Sequence, residues 1–311
     1  MNAVVLKMIE RKTGVPGIAA LLADRLSGSE LNSLLLEVYG RRSEKMQPAE
    51  LLAQYRLNRL VHPSGLDKIA LLESGLVALR FFRERGFLPV ELSPVAVFGS
   101  CSVIAAVSQD KVVSASRNTE VVADATNSLA LHIADVRKAG EDGPLRFCTV
   151  HRHVRAQRFA DKRYLPHFMI GCMVSADRDR GSYGFECEGL AEHVGNYIDL
   201  LRDGYGVGEF RLLLKKRGGY DERSPLIGRV EAFLRDRLKG VVVDQEEAPV
   251  ESSYYKGVQF KLYIAVNGVE WEIADGGFVD WTQQLLGNRK ERLLISGIGL
   301  EFLFKMQRGL T

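Results

Sequence analysis

A chain of 311 residues, 46% of them hydrophobic, has core material for one large domain and a smaller appendage. Its 42 basic and 39 acidic residues nearly cancel to a net +3, which gives no push towards a nucleic-acid partner. The four cysteines (Cys101, Cys148, Cys172, Cys187) lack CxxC spacing, which argues against a disulfide framework or zinc knuckle. No apolar run reaches the ~18 residues of a membrane span, and Lys7 and Glu10 break the first apolar stretch, so the chain reads as cytoplasmic with no membrane partner.

Residues 1–62 read as an N-terminal helical element. Leu21, Leu22 and Leu26 share a face, Ser29 precedes the leucines of ELNSLLLEVYGRR, and QPAELLAQYRLNRLV gives a further helix. With no linker after it, this element is expected to dock against residues 63–311. A helix over 66–85 places Ile69, Leu72, Leu76 and Leu79 on one face, Gly86 stops it, and FLPVELSP follows as a strand. KVVSAS and CTVHRHV have the β-branched character of strands, and ATNSLALHIADVRK is helical with Thr126 or Asn127 as N-cap. HFMIGCMVSA is apolar enough for a buried strand, and FECEGLAEHVGNYIDLLRDGYG is a long helix ended by glycine. EFRLLLKKR, VQFKLYIAV and VEWEIADGG are strands, the last two joined by Asn267-Gly268, and GLEFLFKMQRG closes as a helix. The charge run LKKRGGYDER reads as a solvated turn. Strands that pair locally, among helices that are not regularly interspersed, predict an α+β fold with an antiparallel sheet flanked by helices.

Residues 151–174 offer the most chemistry. Two strands flank a basic loop holding Arg155, Arg158, Lys162 and Arg163; Arg152 starts the first strand and His167-Phe168 opens the second. Guanidinium groups suit phosphate or carboxylate, and a flat aromatic surface suits a stacked base. A hairpin with a solvated basic loop is the plainer reading of the same composition. Cys148, His151, His153 and Cys172 do not make a metal site, because Cys148 and His151 face opposite sides of a strand. Tyr254, Tyr255 and Trp271 read as packing residues unless they border an open pocket. No nucleophile–base constellation stands out, so no catalytic residue is assigned.

The same stretch resembles motif 2 of class II aminoacyl-tRNA synthetases, in the histidyl style FRHERPQ…RY…F…GCEV, as HRHVRAQ…RY…HF…GCMV. Other motifs of the family follow in order. Helix 66–85 with GFLPVELSP is similar to motif 1, Asp124-Ala125-Thr126 to the LRP(E/D)xT element, SYYKGVQF to YYTGxxF, DGGFVDW to the GGRYD loop, and SGIGLEFL to motif 3, GxGLERL. The resemblance covers residues 66–311. It implies a nucleotide site of Arg152, Arg155, Arg163, His167, Phe168, Gly297 and Gly299, with ATP and Mg²⁺ as cofactor. It also implies an amino-acid pocket of Asp124, Thr126, Gln157, Tyr254, Tyr255, Gly276, Gly277 and Asp280, and a homodimer across the motif 1 helix. The histidyl-synthetase-like regulatory subunit of ATP phosphoribosyltransferase is a family precedent that binds ligand without charging tRNA.

The departures bear on function. The motif 3 arginine is Phe302, the motif 2 acid is Val154, the arginine of RGLDYY is Val250, that of GGRYD is Phe278, and that of LRPxxT is Val122. Adenylation gathers negative charge that arginines and magnesium neutralise, and each lost buried contact removes roughly 2–4 kcal/mol of transition-state stabilisation. The chain stops soon after motif 3, where the family carries an anticodon-binding domain. The expectation is therefore a divergent paralogue that binds an amino-acid-like or nucleotide ligand, or a protein partner, and works by regulation rather than tRNA aminoacylation. The alternatives are an ATP-dependent carboxylate-adenylating enzyme outside translation, and a nucleic-acid-binding accessory protein using the basic loop.

Overall fold

The computed structural model describes residues 3–157, 165–221, 223–246, 254–266 and 268–310. Four helices open the chain, α1 (Ala3–Thr13), α2 (Ile18–Arg25), α3 (Gly28–Ser43) and α4 (Pro48–Leu57). The α3 start is set by a capping box, in which Ser27 and Glu30 satisfy each other's backbone N–H, two residues earlier than Ser29 suggested. No described residue of these four helices is buried, and polar ties link this part of the chain to the rest. Asn32 Oδ1 accepts from the Arg117 backbone N–H at 2.7 Å, and the His62 carbonyl accepts from His167 Nε2 at 2.7 Å.

Then come α5 (Lys68–Glu84), β1 (Leu88–Pro89), β2 (Val95–Val97), α6 (Ser100–Ile104), β3 (Ser114–Ala115), β4 (Thr119–Val121) and α7 (Ala125–Lys138). Asp67 caps α5, accepting from the Ala70 N–H at 2.7 Å, and Gly86 at φ 85° ends it. FLPVELSP is not one strand. Pro89 and Pro94 cannot donate to a ladder, so β1 lasts two residues and the chain re-pairs as β2 in a small sheet of order β2-β4-β3. The α7 N-cap is Asp124, not Thr126 or Asn127. Its extended backbone lets its carboxylate accept from the Thr126 N–H, while Thr126 and Asn127 are buried inside the first turn.

The remaining elements are β5 (Leu145–Val154), β6 (His167–Arg178), α8 (Gly184–Asp199), β7 (Phe210–Lys216), α9 (Leu226–Arg237), β8 (Val242–Glu246), β9 (Lys256–Val266), β10 (Val269–Val279), α10 (Trp281–Leu286), β11 (Glu291–Ile298) and α11 (Leu300–Gln307). The main sheet has eight strands in the order β1-β5-β6-β11-β10-β9-β7-β8, parallel at its two ends and antiparallel between. The run LKKRGGYDER is not simply a turn: Leu214, Lys215 and Lys216 belong to β7, and Tyr220 donates to buried Glu186 at 2.8 Å.

Helices cover both faces of this sheet. Against one face Phe82, Leu190, Val194 and Tyr197 pack on Met173, Phe260 and Leu294; against the other Leu129, Ile133 and Trp281 pack on Phe147, Val174 and Ile295. Covered on both sides, β6 is apolar at nearly every position, which is why HFMIGCMVSA lacks alternation. The second face is left uncovered between α7 and the ends of β5, β6 and β11, where the cavity described below opens.

Candidate functional site

A cavity of about 290 Å³ lies on the α7 face of the sheet. Its floor is built from alternate residues of neighbouring strands: His153 on β5, Ile170 and Cys172 on β6, Ile295 and Gly297 on β11, and Asp275 on β10. Period-two alternation sends their neighbours to the other face. Glu120, 1% exposed, accepts from the N–H groups of Gly99 (2.9 Å) and Cys101 (3.1 Å). That holds the segment whose Cys101, Val107, Lys111 and Val112 form another wall.

Asp124 does two jobs. Oδ1 accepts from the Thr126 backbone N–H (2.9 Å) and hydroxyl (2.7 Å), and Oδ2 accepts from the Tyr254 hydroxyl. Burial works against its ionisation, yet its pKa lies below the usual range because Arg155 and the two hydroxyls favour the anion. His153 adds no charge there: burial pushes its pKa down to about 3, so it is neutral near pH 7. Its Nε2 accepts from the Ala125 N–H at 3.1 Å, which puts the ring proton on Nδ1. That Nδ1 has no partner among the described residues.

Asp275 completes a matching arrangement. Oδ1 accepts from Tyr255 and Oδ2 from Gln259 Nε2, both at 2.7 Å, and the Gln259 amide is oriented by Arg217 donating to its oxygen. Burial raises the Asp275 pKa. Tyr254 and Tyr255 pack edge-on with centroids 4.7 Å apart, so the pair links the two carboxylates along one wall. Both tyrosines border the cavity, and their role goes beyond packing.

Of the residues expected to bind ligand, Asp124, Thr126, Arg155, Gln157, Tyr254, Tyr255 and Gly297 line this cavity. Phe168 lies beside it, with the Arg155 guanidinium 5.2 Å from its ring centroid. Arg152 is on the opposite face, in an ion pair with Glu301 at 3.1 Å, and its NH1 donates to His167 Nδ1 at 2.9 Å. His167 is spent on that arginine and on the His62 carbonyl. Gly276 and Gly277 serve strand packing: a Cβ at Gly276 would lie 2.6 Å from the Ile295 carbonyl oxygen, and one at Gly277 2.8 Å from that of Val258. Asp280 sits at the α10 N-terminus and pairs with Lys256 at 3.6 Å. Gly299 precedes α11 with room for a side chain. Arg163, with Arg158, Lys162, Val250 and Asn267, lies outside the described residues. His153, Asp275, Lys111 and Cys172 were missed as lining residues. The spacing His153, Arg155, Gln157 is the signal that finds the first of them, since it marks one face of an extended chain.

No protein-family model matches the chain, and no curated protein matches it in sequence. Solved structures do match its backbone. An ATP phosphoribosyltransferase regulatory subunit/histidyl-tRNA synthetase from Bacillus halodurans is 14% identical with a TM-score of 0.61, over 78% of this chain and 82% of that one. The fold is class II aminoacyl-tRNA-synthetase-like. The histidyl-tRNA synthetase of S. aureus is 12% identical with a TM-score of 0.61, over 82% of this chain and 71% of that one. The pyrrolysyl-tRNA synthetase of Desulfitobacterium hafniense is 14% identical with a TM-score of 0.51, over 84% of this chain and 75% of that one. Identities this low, and between 12% and 14% across enzymes of different amino acids, go with a synthetase-like fold and do not single out the histidyl branch. No helix among the described residues is long and apolar enough to cross a membrane.

ATP with Mg²⁺ fits the described residues poorly. Phe302, which the sequence resemblance sets against the motif 3 arginine, packs on Trp271 with centroids 5.3 Å apart. Arg152 is engaged by Glu301 on the far face, and the cavity sets Asp124 and Asp275 against Arg155 and Lys111. A triphosphate meets two carboxylates there, so no nucleotide step is derived from this site.

Proposed function

We propose that the protein binds an amino-acid-like ligand in the cavity and acts through that binding, as a regulatory or sensing protein, rather than by aminoacylating tRNA. The observation that carries this reading is Asp124, held ionised by Arg155 and the Thr126 and Tyr254 hydroxyls in the wall of a cavity of about 290 Å³. A carboxylate next to a guanidinium matches the ammonium and carboxylate of one amino-acid head group. The volume is near the lower end of small-molecule sites, roughly 300–1,000 Å³, which suits a single small ligand. The Bacillus halodurans neighbour, whose name joins a regulatory subunit to a synthetase, supports placing a regulatory protein on this fold.

The test pairs two measurements on the full chain. Calorimetry across the proteinogenic amino acids is expected to find at least one that binds, with affinity lost in Asp124→Ala. ATP–pyrophosphate exchange driven by the same amino acids is expected to stay at background. Sustained exchange with any of them would establish the alternative, an ATP-dependent carboxylate-activating enzyme.

A further inference from the structure

Asp124 and Asp275 line one cavity, and among the described residues every hydrogen bond either accepts comes from an uncharged donor: the Thr126 amide and hydroxyl, the two tyrosine hydroxyls and the Gln259 amide. Among the described residues neither carboxylate has a lysine, arginine or histidine within ion-pair distance; Lys261, the ammonium nearest Asp275 in charge, is paired with Glu272 at 2.7 Å. Two desolvated carboxylates in one cavity, with the Arg155 and Lys261 charges near them but beyond ion-pair distance, are costly to keep ionised, and a ligand that brings two cations relieves both. The opposite requirement sits beside Asp124. His153 is 1% exposed, lines the cavity, and presents an Nδ1–H that no described residue accepts, with the Arg155 guanidinium alongside. Between these polar ends the floor is Ile170, Cys172 and Ile295, an apolar surface for a methylene stem.

We propose that the ligand is a diamino carboxylic acid, with its carboxylate at His153 and Arg155, its α-ammonium at Asp124, and its side-chain ammonium at Asp275. The inference rests on the amino-acid reading above and adds the chemistry of the side chain. An acidic side chain is repelled by Asp275. A purely aliphatic one buries Asp275 further without a partner.

Calorimetry of the full chain with L-lysine, L-ornithine, L-norleucine and L-glutamate tests it. Lysine or ornithine is expected to bind at least tenfold more tightly than norleucine, and glutamate not at all. In Asp275→Asn, checked for folding by circular dichroism, the tenfold preference collapses to within about threefold. The wild-type panel decides by itself if the variant does not fold. Norleucine or glutamate binding as tightly as lysine overturns the side-chain assignment and leaves the amino-acid reading standing. If no amino acid binds to the folded protein, both fall.

Discussion

At the scale of single residues, two buried histidines set the acid limit of stability. His153 and His193 each have a folded-state pKa of about 3 against an ordinary 6.5, driven by burial and, for His193, also by the charge of Arg146. A folded pKa below the unfolded one means that the unfolded chain takes up more protons as pH falls. The histidines' contribution to stability is therefore full above about pH 6.5 and is lost progressively on descending towards pH 3. Melting temperature should fall between pH 7 and pH 5. His193→Gln, which can still bridge the Ser175 and Ser296 hydroxyls that His193 contacts at 2.9 and 2.7 Å, should roughly halve that dependence. Two neighbouring arginines make a second residue-scale contrast. Arg152→Met leaves Glu301, whose side chain is 2% exposed, with the Lys305 ammonium at 3.1 Å and the Met169 N–H, and should cost roughly 1–2 kcal/mol in denaturant unfolding while leaving cavity binding intact. Arg155→Met should do the reverse, weakening ligand by about tenfold with little loss of stability. Ligand loss in Arg152→Met would mean that the strand turns the other way in the bound protein.

At the scale of elements, β10 and β11 approach so closely that side chains are excluded between them. An alanine at Gly276 would meet the Ser296 Cβ at 2.5 Å and the Ile295 oxygen at 2.6 Å, so Gly276→Ala should destabilise by roughly 1–3 kcal/mol or more. Gly299→Ala, with its nearest contact at 3.5 Å, should be tolerated, and thermal unfolding of the two variants compares them directly. Elements of this kind were legible in the chain: helical periodicity and strand composition placed α5, α8, β9, β10 and α11, unbroken apolar character placed β6, and ordered motifs led to the synthetase-like sheet. The sidedness of β5 was not legible. Matching HRHVRAQ to a motif by its letters selects Arg152, whereas the pleat brings His153 and Arg155 to the cavity. A strand has period two, so an offset of one residue exchanges its faces. Asp275 was hidden for a related reason: its importance depends on Tyr255 and Gln259 on another strand, and no local pattern records a cross-strand pairing.

At the scale of the whole molecule, exposed apolar surface concentrates in the first third of the chain. Ile69, Leu72, Leu76 and Val77 lie exposed on α5, next in sequence to exposed Leu88, Val95, Val97 and Phe98. Exposed apolar side chains this numerous within one stretch suit an association surface. The expected assembly is a two-fold dimer through α5, seen in light scattering as twice the 34.6 kDa chain mass. Leu72→Asp with Leu76→Asp should return it to monomer, and a wild-type protein that is monomeric at micromolar concentration would refute the assignment.

Asp124 is at once the cavity's acid and the cap of α7, and that sharing gives the molecule a built-in reporter. An occupant that tightens Asp124 also tightens the carboxylate's hold on the Thr126 amide. Occupancy then slows hydrogen–deuterium exchange in the first turn of α7, even though that amide touches no ligand atom. The same sharing constrains evolution at this position: replacing the acid to suit a different ligand also frays a helix, at about 1 kcal/mol for a lost cap. Descendants of this chain are therefore freer to change their ligand at Asp275 than at Asp124.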